Sequence, residues 1–294
     1  MEKMIITEEL LSEIETVQTL LKNNVAGMFG GLRQTKNLGT SSEFADYRDY
    51  LPGDDITKID WNAYARFEKL YEKLFYDERQ MHTRIYIDTS RSMLYGDEAK
   101  AEQALRLAAA IAYISVCEMD KVSVYAISGG EVREIISGMV GKEAYLGEIG
   151  KLNSVTFDGD SRISEAILPT RVGRGDGYSV IISDFLTDAN YEDAIDFLAD
   201  RKRDIMCIQL LSREEINPQI RGKMHLFDSE NTSRYYRKNI DREIIKAYKD
   251  ALLYSTGRIE NYCHARGASY MLVSAEDTVS EILFGKMINI GVLK

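Results

Sequence analysis

Residues 84–92 read Arg-Ile-Tyr-Ile-Asp-Thr-Ser-Arg-Ser. The first half is a short apolar run rich in isoleucine. The second half is a turn of hydroxyl residues around Asp88. An apolar run of this length, stopped by a polar turn, predicts a strand buried on both faces. The downstream sequence repeats the theme. Residues 97–118 are so rich in Ala, Leu and Ile that they predict a largely buried helix. VSVYAI (122–127) predicts a strand, Gly129-Gly130 a turn, and EVREII (131–136) the hairpin partner. A helix over 142–152 and a short one near 163–168 lead to the buried strand YSVIISD (178–184). Helix 190–200, strand IMCIQLL (205–211), a hairpin within 225–240, helix 241–263, strand SYMLVS (269–274) and helix 277–286 complete the pattern.

Strands alternating with helices imply parallel βαβ units. The expected fold is α/β: a doubly wound, mostly parallel, Rossmann-like sheet over residues 82–294, preceded by an irregular N-terminal extension over 1–81. In such sheets ligands bind beyond the carboxyl ends of the strands, near the point where strand order reverses. The residues just after 87, 182, 211 and 273 are therefore the place to look.

The extension begins with a helix over 7–22, in which Leu10, Ile14, Val17 and Leu21 share one face. Residues 23–66 are polar, aromatic and glycine-rich, a segment expected to be functional or ordered by short strands. FEKLYEKLFYDE, within 67–80, holds a possible strand.

The chain has 294 residues, 45% hydrophobic and 29% charged, as in ordinary globular proteins. Its net charge of −10, with no block of Lys or Arg, disfavours nucleic acid as a partner. No apolar run approaches the ~18 residues needed to span a bilayer. The acidic start MEKMIITEELLSEIE does not resemble a secretory signal, so the cytoplasm is the expected location. Cys117, Cys207 and Cys263 lie far apart in sequence and read as three buried thiols. His82, His225 and His264 have no ligand spacing.

Asp88, Ser90 and Ser92 form DxSxS, a carboxylate and two hydroxyls at alternate positions. In a tight loop such side chains converge. Hard oxygen donors of this kind suit Mg2+ or Mn2+ rather than zinc. Asp184 ends a second buried strand and is expected at the same sheet edge. Ser161, at the start of a short helix, is placed to cap that helix or to reach a metal.

This combination resembles the metal-ion-dependent adhesion site of von Willebrand factor A domains. The resemblance implies that Ser90, Ser92 and Ser161 ligate the ion directly, and that Asp88 and Asp184 act mainly through bound water. Ser161 stands where the family usually has Thr. Upstream, Gly39, Ser42-Glu43-Phe44, Arg48-Asp49-Tyr50, Pro52-Gly53-Asp54-Asp55, Ile59-Asp60-Trp61, Ala65-Arg66 and Lys73 are similar to the signature of the domain-of-unknown-function 58 proteins. Lys58 departs from it, since Arg is common there. Many members also carry transmembrane helices before this motif. The resemblance implies a MoxR-type AAA ATPase as partner.

The motif itself reads as a salt-bridged extension pinned by Trp61, or as a partner-binding surface built on Glu43, Arg48, Gly53, Asp54, Asp55, Asp60, Trp61 and Arg66. The expected function is a metal-dependent protein-binding adaptor and not an enzyme. A metal-assisted phosphohydrolase and a metal-independent assembly protein are the alternatives. DxSxS is not the DxDxT of aspartyl-phosphate enzymes, and neither GxSxG nor GxxxxGK[ST] is present.

Overall fold

The computed structural model describes residues 5–24, 44–75, 81–95, 99–175, 177–227 and 235–287. The chain forms two compact units, Met1–Leu20 with Gln80–Val292, and Leu21–Arg79.

The larger unit is built on a six-stranded sheet. In chain order its strands are β3 (His82–Asp88), β4 (Lys121–Ser128), β5 (Glu131–Met139), β6 (Tyr178–Ser183), β7 (Asp204–Leu211) and β10 (Ser269–Ser274). They lie side by side as β10-β7-β6-β3-β4-β5. All neighbours are parallel except β4 and β5, which form the expected antiparallel hairpin. The α/β class and the doubly wound sheet read from the sequence are therefore the observed fold. The first strand lies in the middle, and the order reverses between β3 and β6. A crevice opens at such a reversal because the connections leave toward opposite faces.

Helix α3 (Ala99–Cys117) covers one face. Its alanines let it pack closely, and 15 of its residues are buried. Helix α4 (Gly141–Glu148) lies beside it, with Tyr145 edge-to-face on Tyr113 at 5.1 Å. The opposite face carries α5 (Ile163–Ile167), α6 (Glu192–Asp200) and the last turns of α8 (Arg242–Ala265).

Helix α1 (Glu8–Asn24), which the sequence groups with the extension, packs through its first part on the larger unit. Leu10, Ile14 and Val17 are buried there, and Asn153 Oδ1 accepts the N–H groups of Ile5 and Ile6. Among the described residues no helix is long and apolar enough to cross a membrane.

One expectation needs correction. Cys117 is only half-buried, while Cys207 and Cys263 are buried in one cluster and their thiols are hydrogen-bonded to each other. The helix expected over 277–286 is present, with a π-helical stretch at Glu281–Met287.

The smaller unit is a two-stranded antiparallel ribbon, β1 (Phe44–Asp49) with β2 (Tyr71–Phe75). A 3-10 turn (Ile56–Lys58) and helix α2 (Trp61–Phe67) lie between the strands. The strand expected within 67–80 is thus shorter than its apolar pattern, and residues 76–80 are outside the described residues. Likewise β8 (Gly222–Phe227) and β9 (Tyr235–Ile240) of the larger unit pair antiparallel, as the sequence predicts.

His82, at the start of β3, sits at the edge of the sheet remote from Asp88. Its Nε2 lies 3.0 Å from Ser123 Oγ. Burial, then the charges of Arg84, Lys121 and Arg203, push its pKa down to about 4. The ordinary value in the unfolded chain is about 6.5. Between these values the unfolded chain takes a proton that the folded chain refuses. This contribution to stability is complete above pH ~6.5 and falls away as the pH drops toward 4, by about 2–3 kcal/mol. Urea midpoints across that window should decline more steeply for the native chain than for His82→Gln. Parallel slopes would show that the ring is not held neutral.

Candidate functional site

The pairing of Ile87 with Ile182 places Asp88 level with Ser183 at the crevice between β3 and β6. The DxSxS turn then folds back on itself. Asp88 Oδ1 accepts the Ser90 N–H at 3.0 Å, a local bond that Asp makes readily in turns. Thr89 is anchored to β4, its N–H and Oγ1 both donating to the Ile127 carbonyl at 2.8 and 2.7 Å. This leaves Ser90 and Ser92 side by side, with their Oγ atoms 3.0 Å apart.

Ser161 arrives from the loop before α5. That loop is held by backbone bonds from Asp158 N–H to Thr89 O, 2.7 Å, and from Arg91 N–H to Gly159 O, 3.1 Å. The Ser161 hydroxyl makes no cap: Arg162 is the residue at the N-terminus of α5, and it offers no side-chain bond. Ser161 Oγ instead donates to Asp88 Oδ2 at 2.7 Å. Ser183 Oγ donates to the same oxygen at 2.6 Å.

Asp88 is fully buried. Burial, and next the neighbouring Asp184, raise its pKa, while bonds from Ser183, Ser161 and Ser90 pull it back. No lysine or arginine among the described residues pairs with it. A buried carboxylate supported only by neutral donors is costly unless a cation joins it.

Asp184 has a cation already. Its Oδ2 accepts from Lys100 Nζ at 2.9 Å, and the same ammonium reaches Glu215 Oε1 at 2.7 Å. Both Lys100 and Asp184 have side chains with no exposure. Asp184 Oδ1 accepts the Leu186 N–H, and Gln209 holds the Asp184 carbonyl.

The residues therefore fit a small hard cation on three counts. The Ser90–Ser92 oxygen spacing is close to the ~2.9 Å edge of an octahedron with ~2.1 Å metal–oxygen bonds. Asp88, Asp184 and Glu215 against Lys100 leave two negative charges in excess, which one divalent ion would neutralise. The oxygen donors gathered here, the Ser90, Ser92 and Ser161 hydroxyls with the Asp88 carboxylate, are of the hard kind that suits magnesium or manganese. Ser90, Ser92 and Ser161 would hold the ion, with Asp88 and Asp184 behind them. The ion would supply positive charge and a free coordination position.

The sequence reading missed Lys100, Ser183 and Glu215. Ser183 was visible as the residue before Asp184. Glu215 completes a capping box with Ser212 at the start of α7 (Arg213–Ile216), a signature present in Ser212-x-x-Glu215. Nothing in the sequence around Lys100 distinguishes it from a solvated helical lysine.

The motif residues of the smaller unit serve mainly its own folding. Glu43 lies outside the described residues. Arg48 pairs with Asp54 at 2.9 Å and with Glu72 at 2.6 Å. Gly53 has φ +115°, a turn conformation that favours glycine. Asp55 caps the 3-10 turn. Asp60 caps α2 through the N–H groups of Asn62 and Ala63. It also accepts Tyr47 Oη at 2.7 Å, and that bond leads the causes that lower its pKa to about 2. Trp61 is 59% exposed and lies edge-on to Tyr64 within the smaller unit. Arg66 lines an open cavity with Asn62, Phe67 and Tyr71.

A family model described as protein of unknown function DUF58 matches residues 46–255, more than half of the chain. The chain belongs to the DUF58 family. The match takes in residues from both units of this DUF58 protein. An uncharacterized protein of Mycobacterium tuberculosis is 24% identical over 229 residues, covering 76% of this DUF58 chain and 72% of its own. Among solved structures, the VWA domain of SpRpn10 is similar with a TM-score of 0.37 and 10% identity, over 70% of this chain and 94% of that one. Proximal thread matrix protein 1 from the mussel byssus gives 0.38 and 10% over 71% of the DUF58 chain. The DUF58 protein spans 44% of that chain.

Proposed function

We propose that this protein is a metal-ion-dependent protein-binding module. Mg2+ or Mn2+ sits on Ser90, Ser92 and Ser161, backed by Asp88 and Asp184, and accepts a carboxylate oxygen from a partner protein. The observation that carries this reading is Asp88: a fully buried carboxylate that accepts bonds from two serine hydroxyls, with no cationic side chain paired to it among the described residues. The ion would neutralise a locally negative edge and offer an acidic group an open coordination position. The MoxR-type AAA ATPase implied by the family resemblance, or a client of it, is the partner to test.

Binding fits the site better than phosphohydrolysis. Asp88 Oδ2 already holds two hydroxyl hydrogen bonds, which makes it a poor nucleophile. His82 lies at the far end of its strand.

Calorimetric titration of Mg2+ and Mn2+ into metal-stripped protein tests the reading. The native chain should take up one ion. The Asp88→Ala, Ser90→Ala double variant should lose more than about 100-fold in affinity, exceeding what outer partners of a metal contribute. Equal uptake by a folded double variant would sink the proposal.

A further inference from the structure

Beside the candidate ion lies a cavity of about 350 Å³. Ser92 and Asp184, both residues of the ion site, line its polar end. Leu186, Ile220, Ile240, Ile244 and Tyr248 form an apolar wall, and Glu215 also lines the space. Apart from Leu186, which follows β6, the wall comes from the segment after β7: Ile220, the end of β9 and the first turns of α8. That segment is tied down near the site by Tyr248 Oη donating to the Glu215 carbonyl at 2.9 Å.

Ile240 is nearly buried, at 6% exposed, but the rest of the wall is not spent on the core. Leu186, Ile220, Ile244 and Tyr248 are 37%, 42%, 39% and 39% exposed. Large apolar side chains gathered in a concave, open place, with polar groups at one end, mark a binding surface rather than ordinary surface scatter. Charge narrows what fits. With the ion present, the polar end offers a free cationic position. Glu214 also lines the cavity, is exposed and pairs with no cation among the described residues. A single acid directed at the ion is favoured, and a second acid toward Glu214 is repelled.

We infer that the partner segment carries an aspartate or glutamate immediately beside a large aliphatic residue, the carboxylate on the ion and the aliphatic side chain in this cavity. The inference rests on the reading of the ion site given above. It adds what the ion alone does not provide, a preference among acidic segments. Ile220, Ile240 and Ile244 act as specificity residues, and the ion sets the polar anchor.

The probes are three blocked tetrapeptides, Gly-Asp-Leu-Gly, Gly-Asp-Ser-Gly and Gly-Asn-Leu-Gly, added to the full chain with methyl-labelled isoleucine in saturating Mg2+. The Asp-Leu peptide is expected to shift the methyl signals of Ile220, Ile240 and Ile244. It should bind about 10-fold or more tighter than Asp-Ser, as burial of one leucine side chain requires. Asn-Leu should bind far more weakly than Asp-Leu. Ile244→Ser, a neutral change at a partly exposed position, should erase the leucine preference. Equal affinity of Asp-Leu and Asp-Ser overturns the inference. So does Mg2+ uptake with no response of these methyls to any peptide. Isoleucine shifts by Asp-Leu that persist in EDTA would support the cavity's choice of leucine while removing the ion from the function.

Discussion

Replacing Lys100 by Met is expected to lower the unfolding free energy by about 3–5 kcal/mol. The side chain is fully buried, and its ammonium is the shared partner of Asp184 and Glu215 at 2.9 and 2.7 Å. A methionine fills similar space but leaves two carboxylates close together, with Asp88 also nearby. Removing one member of a buried ion group is far more damaging than never having built it. Urea unfolding of the two chains measures the loss. Asp184→Asn added to Lys100→Met should recover part of it, because the two sites are in contact and their effects are not additive. A loss below about 1 kcal/mol would mean that water reaches the group and screens it. The variant also bears on the ion site. With Lys100 gone, Asp184 is free for an ion, so added Mn2+ should recover more stability in Lys100→Met than it adds to the native chain.

The second large effect is expected at the opposite edge of the sheet. Gly177 precedes β6 with φ +153°. A Cβ there would lie 2.5 Å from the His82 carbonyl oxygen and would overlap the Arg203 guanidinium. Arg203 is the tie at this end: it donates to the carbonyls of His82 and Tyr178 and to Ser179 Oγ. Gly177→Ala should therefore cost about 2–4 kcal/mol, combining backbone strain with displacement of a buried side chain. Thermal and urea unfolding would show it. A melting temperature equal to that of the native chain would refute the close approach. The Mg2+ titration should be unchanged in the folded variant, because Gly177 and Asp88 lie at opposite ends of the sheet.

The sequence was most informative where chemistry is local. Apolar runs bounded by turns specify five of the six strands of the main sheet, because a buried strand requires nearly continuous apolar residues, and the exposed edge strand β5 was legible from the Gly129-Gly130 turn before it. The alternation with helices fixes parallel pairing for the same reason. Asp88, Ser90 and Ser92 were legible as a group because they are two residues apart in one turn, where backbone geometry alone brings them together. Asp184 was legible because a strand end in such a sheet points to one edge. The α/β class, the hairpin of β4 with β5, and the family were all present in the order of residues.

What only the tertiary structure decided depends on atoms brought together from distant segments. Lys100 reads as an ordinary helical lysine until the first turn of α3 is placed over the ends of β6 and β7. There its charge is buried and shared by two acids. Ser161 could cap a helix or reach Asp88, and the packing of its loop against the Asp88 turn selects the second. The cavity beside the ion site exists because residues 213–227 and 235–248 return to the sheet edge. Leu186, Ile220 and Ile244 come from three segments far apart in sequence, so no local pattern announces that they share a wall. Local patterns encode which elements form; long-range packing alone determines which charges become buried and which apolar groups remain open to a partner.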